Sequence, residues 1–581
     1  MTIESVVSKN ILIEKNISVV MRDGVILYAD VYRPGDEGKY PILLMRTPYN
    51  KEDAQTMNYA HPIWYAKRGF VVIAQDTRGR FTSQGEFHPY AHEAEDGYDT
   101  IEWAAKLPNV IPKVGLYGFS YVGTSQLLTA AARPPHLTCI APGMSGSDSF
   151  QGRTYQNGAF ALALNLTWAL FVSGDRAARK ERWEWVREIA NAPIQQLYQS
   201  LPLSEVPVIK KELAPFYEEW LHHPTRNEYW KDTSPKEVYK NIHVPALHIG
   251  GWYDIFIEGT IENFLGIKEQ SDSTHAKENQ YLYLTPWYHM PWSRYVGELD
   301  FGEEAINRID QLQLQWFNKW LKGGENEWKT PSVQYFLMGE NRWNVAEEWP
   351  PEEIEEQVLY LASEGRANSI NGDGLLSVEE PKEMSEEDVY VYHPSIPVPA
   401  LGGRSGADPV LTPMGPKNQI PIEVRNDLLV YTSKPLKKDL EVAGEITVVL
   451  YASTTVEDTD FVVKLIDVYP DGRAFNLAEG ILRASYRNSL SHPTPVIPGE
   501  VVRYEVKAGS VANVFKKGHS IRVDVTSSLF PTFDRHSNQF KYSGLVHEAD
   551  FRAATQTIFH CKKYPSHLKL PVKNQSNLLI F

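Results

Sequence analysis

VGLYGFSYVGTSQLLTAAARPP, residues 114–135, decides the fold. Its first five residues form an apolar run too short for anything but a buried strand. One turn follows, and a helix rich in small residues begins. Ser120 sits at that corner. A strand-to-helix turn of this kind strains the serine backbone and presents its hydroxyl above the sheet. Gly118 and Gly123 flank it because side chains there would collide with the tight turn. The backbone N–H of Tyr121, at the helix start, points to where an oxyanion would form. The pattern departs from strict G-x-S-x-G, since Val122 holds the second flanking place and glycine comes one residue later. Taken alone, Gly-x-Ser between a strand and a helix is moderately specific, and a helix-capping serine is the plain alternative.

Outward from this corner, residues 12–145 alternate short β-branched runs with helical stretches. Asp23-Gly24 between ISVVM and VILYADVY is a hairpin signal. PILLM (41–45) and FVVIAQ (70–75) read as buried strands, and EAEDGYDTIEWAAK (93–106) as a helix. Strand and helix in turn imply a mostly parallel sheet covered on both faces. From 146 to 235 the β signal fades into helix formers and heavy aromatics: Trp168, Trp183, Trp185, Phe216, Trp220 and Trp230. The α/β pattern resumes with VPALHIGGWYD (244–254) and QYLYLTPW (280–287), and a helix over 305–322 closes it. Beyond 350, runs such as ITVVLYAS (446–453) and DFVVKLIDVYP (460–470) spaced by Gly and Pro predict an all-β sandwich or jelly roll. The expected organisation is a core over 1–145, a helical cap insertion over 146–235, a second core part over 236–350 and a β region over 351–581, packed tightly onto the rest.

The 581 residues exceed one ordinary core. The balance of 58 Lys and Arg against 73 Asp and Glu, net −15, makes a nucleic-acid partner unexpected. Only Cys139 and Cys561 are present, which excludes a disulfide scaffold and a Cys-rich zinc module. Glu4, Lys9, Glu14 and Lys15 interrupt every early apolar run, so no export signal is read. The stretch Gly158–Val172 is too short to span a bilayer and carries Asn165, and a buried helix is expected there. These readings predict a soluble, cytoplasmic protein without a membrane partner. With no H-E-x-x-H, Walker loop or dinucleotide fingerprint, no metal or cofactor is expected. A homodimer is the base-rate expectation for a soluble enzyme.

A serine hydroxyl needs a base to take its proton and a carboxylate to hold that base. In α/β-hydrolases these follow in the order Ser, Asp, His, each just after a strand. Asp254 follows the ALHIGG strand and His289 follows YLYLTPW. His61, His88 and His92 come too early in the chain, and His248 lies within a strand as a core residue.

The chain resembles the α/β-hydrolases that include bacterial cocaine esterase, glutaryl-cephalosporin acylases, α-amino-acid ester hydrolases and the Xaa-Pro dipeptidyl peptidases. The likeness rests on MRDGVILYADVYRP (21–34), MRTPYNK (45–51), DTRGRFTSQGEF (76–87), GFSYVG (118–123), GGWYD (250–254), TPWYH (285–289) and IRVDVTSSLFPTFDR (521–535). It implies an α/β-hydrolase core, an inserted helical cap and a C-terminal jelly roll. It implies Ser120 as nucleophile, Asp254 as orienting acid and His289 as base. Tyr49 is implied as a second oxyanion donor beside the Tyr121 N–H. Asp76, Arg78 and Gly79 are read as architecture, tying loops together by charge-assisted contacts.

Two and three residues past Asp254 stand Phe256 and Ile257, which supply no carboxylate for a substrate ammonium. That disfavours an α-amino-acid ester hydrolase or a dipeptidyl peptidase. The expectation is an esterase acting on small molecules through an acyl-enzyme, with Phe256, Trp168 and Trp287 as candidate pocket walls. The alternatives are a glutaryl-type amide acylase, whose substrate would need a cation for which Arg153 in QGRTYQNG is the candidate, and an Xaa-Pro dipeptidyl peptidase. A glycan-binding protein with an inactive hydrolase core is the non-enzyme alternative, and it predicts a broken triad.

Overall fold

The computed structural model describes residues 5–8, 10–324, 328, 330–404, 410 and 412–573. Among these, eleven strands form the first large sheet. Its centre is parallel, in the spatial order Val71–Asp76, Tyr40–Thr47, Val110–Phe119, Leu137–Gly143, Ala246–Tyr253, Gln280–Tyr288 and Val333–Leu337. The Asp23-Gly24 turn joins the antiparallel strands Ile11–Val20 and Ile26–Pro34 on one side.

Both faces of the sheet's parallel centre are buried, which explains the continuous apolar runs. Along Tyr40–Thr47, Ile42 and Leu44 pack with Ile101, Leu127 and Ile267 from helices Glu93–Ala104, Tyr121–Ala131 and Ile257–Gln270. The alternate residues Leu43 and Met45 pack with Ala66, Trp316 and Phe317 from helices Pro62–Ala66 and Ile309–Lys322. Successive side chains of a strand point to opposite faces, so both sets find a core. Each such aliphatic side chain contributes about 1.5–3 kcal/mol on burial. The closing helix starts at Ile309 rather than 305, because Glu303–Ala305 forms a separate 3-10 turn.

The helical cap leaves the sheet after Leu137–Gly143 and returns at Ala246–Tyr253, and these two strands pair in parallel. It opens with a two-residue hairpin, Tyr155–Gln156 against Ala159–Phe160, and continues through helices Leu162–Arg179, Trp183–Ala190 and Pro215–His222. The apolar stretch from Gly158 is therefore helical only from Leu162. Asn165 is buried within it, donating from Nδ2 to the carbonyls of Thr154 and Ala161 at 3.0 and 2.8 Å. No helix among the described residues is long and apolar enough to cross a membrane.

The C-terminal part is all-β, built on a second large sheet in which Leu440–Thr454 pairs with Val502–Phe515. It shares one hydrophobic core with the hydrolase sheet, where Trp252, Phe336 and Trp349 meet Val442, Val511 and Phe515. It also grips the cap. The Phe160 N–H donates to Asp534 Oδ1 at 2.7 Å, and the Ala163 N–H to the Pro531 carbonyl at 3.0 Å. Arg483 holds the same Asp534 at 3.0 Å.

Candidate active site

Ser120 joins strand Val110–Phe119 to helix Tyr121–Ala131 with φ +64° and ψ −126°, a strained backbone for a residue with a side chain. The surroundings over-determine that conformation. The Ser120 N–H donates to the Gly143 carbonyl at 2.9 Å. Gln55 clamps the preceding residue, donating to the Phe119 carbonyl and accepting from its N–H, both at 3.0 Å. A Cβ on Gly118 would lie 2.2 Å from Val122 Cγ1, and one on Gly123 would lie 2.3 Å from the Gly143 carbonyl oxygen. Val122 fills the space over Gly118, and the close approach to the neighbouring strand falls on residue 123. The shifted glycine of this motif thus has a packing cause.

Asp254 and His289 come together through strand register. Ala246–Tyr253 and Gln280–Tyr288 are adjacent and parallel, with Tyr253 opposite Tyr288, so the next residue of each emerges side by side. His289 Nδ1 hydrogen-bonds Asp254 Oδ1 at 2.7 Å, and Nε2 hydrogen-bonds Ser120 Oγ at 2.9 Å. A carboxylate at Nδ1 fixes the hydrogen there and leaves Nε2 to accept from the serine hydroxyl. Asp254 is fully buried, and the His289 ring is packed between Phe119 and Phe256 at centroid distances of 5.4 and 5.5 Å.

Tyr49 stands on the loop after Tyr40–Thr47. Its hydroxyl accepts from Trp168 Nε1 at 3.0 Å. Burial pushes the phenol up to about 12, with smaller opposing pulls from the Trp168 and Ser120 hydrogen bonds. The DTRGR stretch holds this loop. Asp76 accepts from the Lys51 N–H at 2.7 Å and from Thr82 Oγ1 at 2.8 Å, while Arg80 Nε donates to the Pro48 carbonyl at 2.8 Å. Arg78 instead makes a bidentate pair with Asp96 and reaches Asp23. The side chain of Tyr121 turns into the core, where its hydroxyl donates to Glu93 Oε1 at 2.8 Å. Its backbone N–H opens the helix, where the first donors have no intrahelical acceptor.

Of the expected pocket walls, Phe256 lies against His289, and Trp168 reaches Tyr49 from the cap helix Leu162–Arg179. Trp287 does not belong with them. It is 1% exposed, stacks on Trp292 at 5.4 Å and donates its indole N–H to the Ala305 carbonyl at 2.9 Å. Because its strand is buried on both faces, an aromatic there goes to the core.

Other residues line two cavities between the cap and the core. A cavity of about 260 Å³ is lined by Tyr90, Arg153, Phe216, Trp220, Tyr229 and Trp230, among others. A smaller one joins Tyr90, Thr124, Gly146 and Arg153 to Phe256. Tyr90 stacks on Tyr121 at 4.3 Å. The cap's run of aromatics was the only sequence signal for this lining, and Trp183 from that run is exposed.

Comparison with known proteins gives a consistent picture. Residues 23–291 match the model of the X-Pro dipeptidyl-peptidase (S15) family, and residues 326–569 match that of the X-Pro dipeptidyl-peptidase C-terminal non-catalytic domain. The cocaine esterase of Rhodococcus sp. (strain MB1 Bresler) is 32% identical, over 97% of this chain and 99% of that protein. A putative serine esterase of Mycobacterium bovis is 25% identical over 88% of this chain and 89% of that protein. Among solved structures, an aminopeptidase from a marine-sediment Thaumarchaeota archaeon superposes with a TM-score of 0.80 at 25% identity, covering 96% of this chain and 95% of that one. An α-amino-acid ester hydrolase superposes with the same TM-score of 0.80 at 23% identity, covering 98% of each, and shares the fold. The chain belongs to the cocaine esterase and X-Pro dipeptidyl-peptidase group of α/β-hydrolases, serine hydrolases that act on ester or amide bonds.

Proposed function

We propose that this protein is a carboxylesterase of small molecules, working through an acyl-enzyme on Ser120. The observation that carries the reading is the continuous hydrogen-bonded line from Ser120 Oγ through His289 to Asp254, at 2.9 and 2.7 Å. Ser120 Oγ attacks the substrate carbonyl while His289 Nε2 takes its proton, and Asp254 stabilises the resulting imidazolium. The Tyr49 hydroxyl and the Tyr121 N–H receive the charge developing on the carbonyl oxygen. Collapse expels the alcohol with a proton from His289, and water then cleaves the acyl-enzyme by the same steps. The same reading divides the chain at residues 146, 236 and 351, the last part being a jelly roll that closes over the site.

Esters are favoured over peptides with a free amino terminus because the apolar Phe256, rather than an acid, lies against His289. Asp148, the buried acid beside the smaller cavity, is engaged by Arg226 and Lys236 at 2.7 and 2.6 Å. Arg153 would repel an ammonium there. An amide acylase taking an anionic acyl group is the second reading, favoured by that same arginine.

The test is intact-mass analysis after fluorophosphonate treatment of wild type and Ser120→Ala. One stoichiometric adduct on wild type and none on the variant is expected. Absence of an adduct on both proteins would sink the proposal and turn attention to glycan binding by an inactive core. Initial rates on aryl esters, glutaryl amides and Xaa-Pro amides then rank ester against amide cleavage.

A further inference from the structure

We infer that Arg153 is an anion-recognition residue of this site, binding a carboxylate carried by the ester or amide substrate. The inference rests on the reading of Ser120 as nucleophile and adds the class of substrate.

Eight arginines among the described residues are buried: Arg46, Arg78, Arg80, Arg153, Arg176, Arg404, Arg483 and Arg522. Seven have a carboxylate within ion-pair distance, from Glu93, Asp96, Asp175, Glu86, Glu258, Asp460 and Glu423 respectively. Arg153, 8% exposed, is the one that does not. Removing a charge from water without a counter-charge is costly, and buried charges are ordinarily paired.

The neighbours of Arg153 hold it in place and leave its charge unanswered. Nη1 donates to Thr154 Oγ1 at 3.0 Å and to Asn165 Oδ1 at 3.3 Å. The guanidinium lies over the rings of Trp220, Trp168 and Tyr90 at 4.3, 5.2 and 5.8 Å. Aromatic faces fix its plane and offset part of the lost hydration, but they neutralise nothing. A guanidinium has five N–H donors in a fork that matches a carboxylate, and this one borders both the large cavity and the smaller one reaching Phe256. Trp168, one of the three rings, donates to the Tyr49 hydroxyl, so the cation stands one ring away from the oxyanion donors. Glu219 and Asp232 line other parts of the large cavity, and Glu219 accepts from the Tyr229 hydroxyl at 3.1 Å. They oppose a second negative group, which points to a monoanionic substrate.

The carboxylate can belong to the acyl group or to the leaving group, and two substrate pairs separate these. For the acyl side, mono(4-nitrophenyl) succinate is compared with its methyl ester. For the leaving group, 4-acetoxybenzoate is compared with methyl 4-acetoxybenzoate. In one pair the wild type is expected to favour the anion by about tenfold or more in kcat/KM, mainly through KM, as a buried charge-assisted fork would give. Arg153→Gln and Arg153→Met should lower that anion-to-ester ratio at least about tenfold, and Arg153→Lys less. Equal rates or a preference for the neutral ester in both pairs, or an unchanged ratio in Arg153→Gln, would overturn the inference.

Competitive inhibition of the wild type by monomethyl succinate against dimethyl succinate needs no variant. The anion should bind about tenfold tighter, and equal inhibition counts against the inference. Fluorophosphonate labelling run alongside keeps the two readings apart. A labelled wild type without anion preference defeats only this inference, whereas an unlabelled wild type defeats the serine mechanism beneath it.

Discussion

Replacing Tyr49 by Phe removes one oxygen and leaves the ring's packing against Tyr121 and Phe171 in place. Two separable losses follow. If the hydroxyl donates to the oxyanion, its removal should lower kcat by about 10²–10³, equivalent to about 3–4 kcal/mol of transition-state stabilisation, with little change in KM. The same oxygen accepts from Trp168 Nε1 at 3.0 Å, so the variant also orphans a part-buried donor. That costs about 1–3 kcal/mol of stability, a fall of a few degrees in Tm. With the phenol's pKa pushed up to about 12, the donor remains protonated throughout an assay near neutrality. The double variant Tyr49→Phe/Trp168→Phe removes the orphaned N–H as well. It should recover part of the Tm while leaving kcat as low as in the single variant. Burst kinetics with an aryl ester and a thermal melt measure both quantities. A single variant within about threefold of the wild-type kcat, or a double variant that regains rate together with Tm, would refute the oxyanion role.

Two further outcomes are expected. Gly123→Ala would place its Cβ 2.3 Å from the Gly143 carbonyl oxygen, the acceptor that also fixes the Ser120 N–H; overpacking of about 1–3 kcal/mol should slow fluorophosphonate labelling at least about tenfold, and an unchanged labelling rate would remove the packing account of the motif. His248 is fully buried and its pKa is driven by desolvation from 6.5 down to about 4; because the folded value lies below the unfolded one, its contribution is complete above pH 6.5 and is lost as pH falls toward 4, about 3 kcal/mol in all. His248→Gln should therefore flatten the fall of stability with acidification across that window, as followed by urea denaturation at stepped pH, and parallel curves would contradict the assignment.

The parts of the candidate site that were legible in the sequence share one property: each sits just after a mostly apolar strand run. Ser120, Asp254 and His289 all follow such runs, so their order along the chain singled them out together, and the family resemblance assigned their roles. Tyr49 has no such marker, and only family resemblance brought it forward. Trp287 was misplaced because a strand covered on both faces is apolar in both directions, and sequence does not distinguish pocket from core there. The reach of DTRGR was half seen. Asp76 and Arg78 both tie loops as read, Arg78 through Asp96 and Asp23, whereas Arg80, which holds the Tyr49 segment at Pro48, was not singled out. Arg153 shows the opposite difficulty. Charged residues are normally solvated, and its burial follows only from the cap aromatics folding over it, a long-range event with no local pattern.

The grip of the β region on the cap bears on when the enzyme becomes complete during its synthesis. All three members of the candidate triad exist once residue 289 has been made. The partner of Phe160, however, is Asp534, and the residues that pack with Phe256 include Leu529 and Phe533. Translation runs from the N-terminus, and domains generally fold in that order. The residues that complete the cover over the cap are therefore made about 245 positions after the last member of the candidate triad, and the hydrolase sheet shares its core with strands that come later still than residue 289.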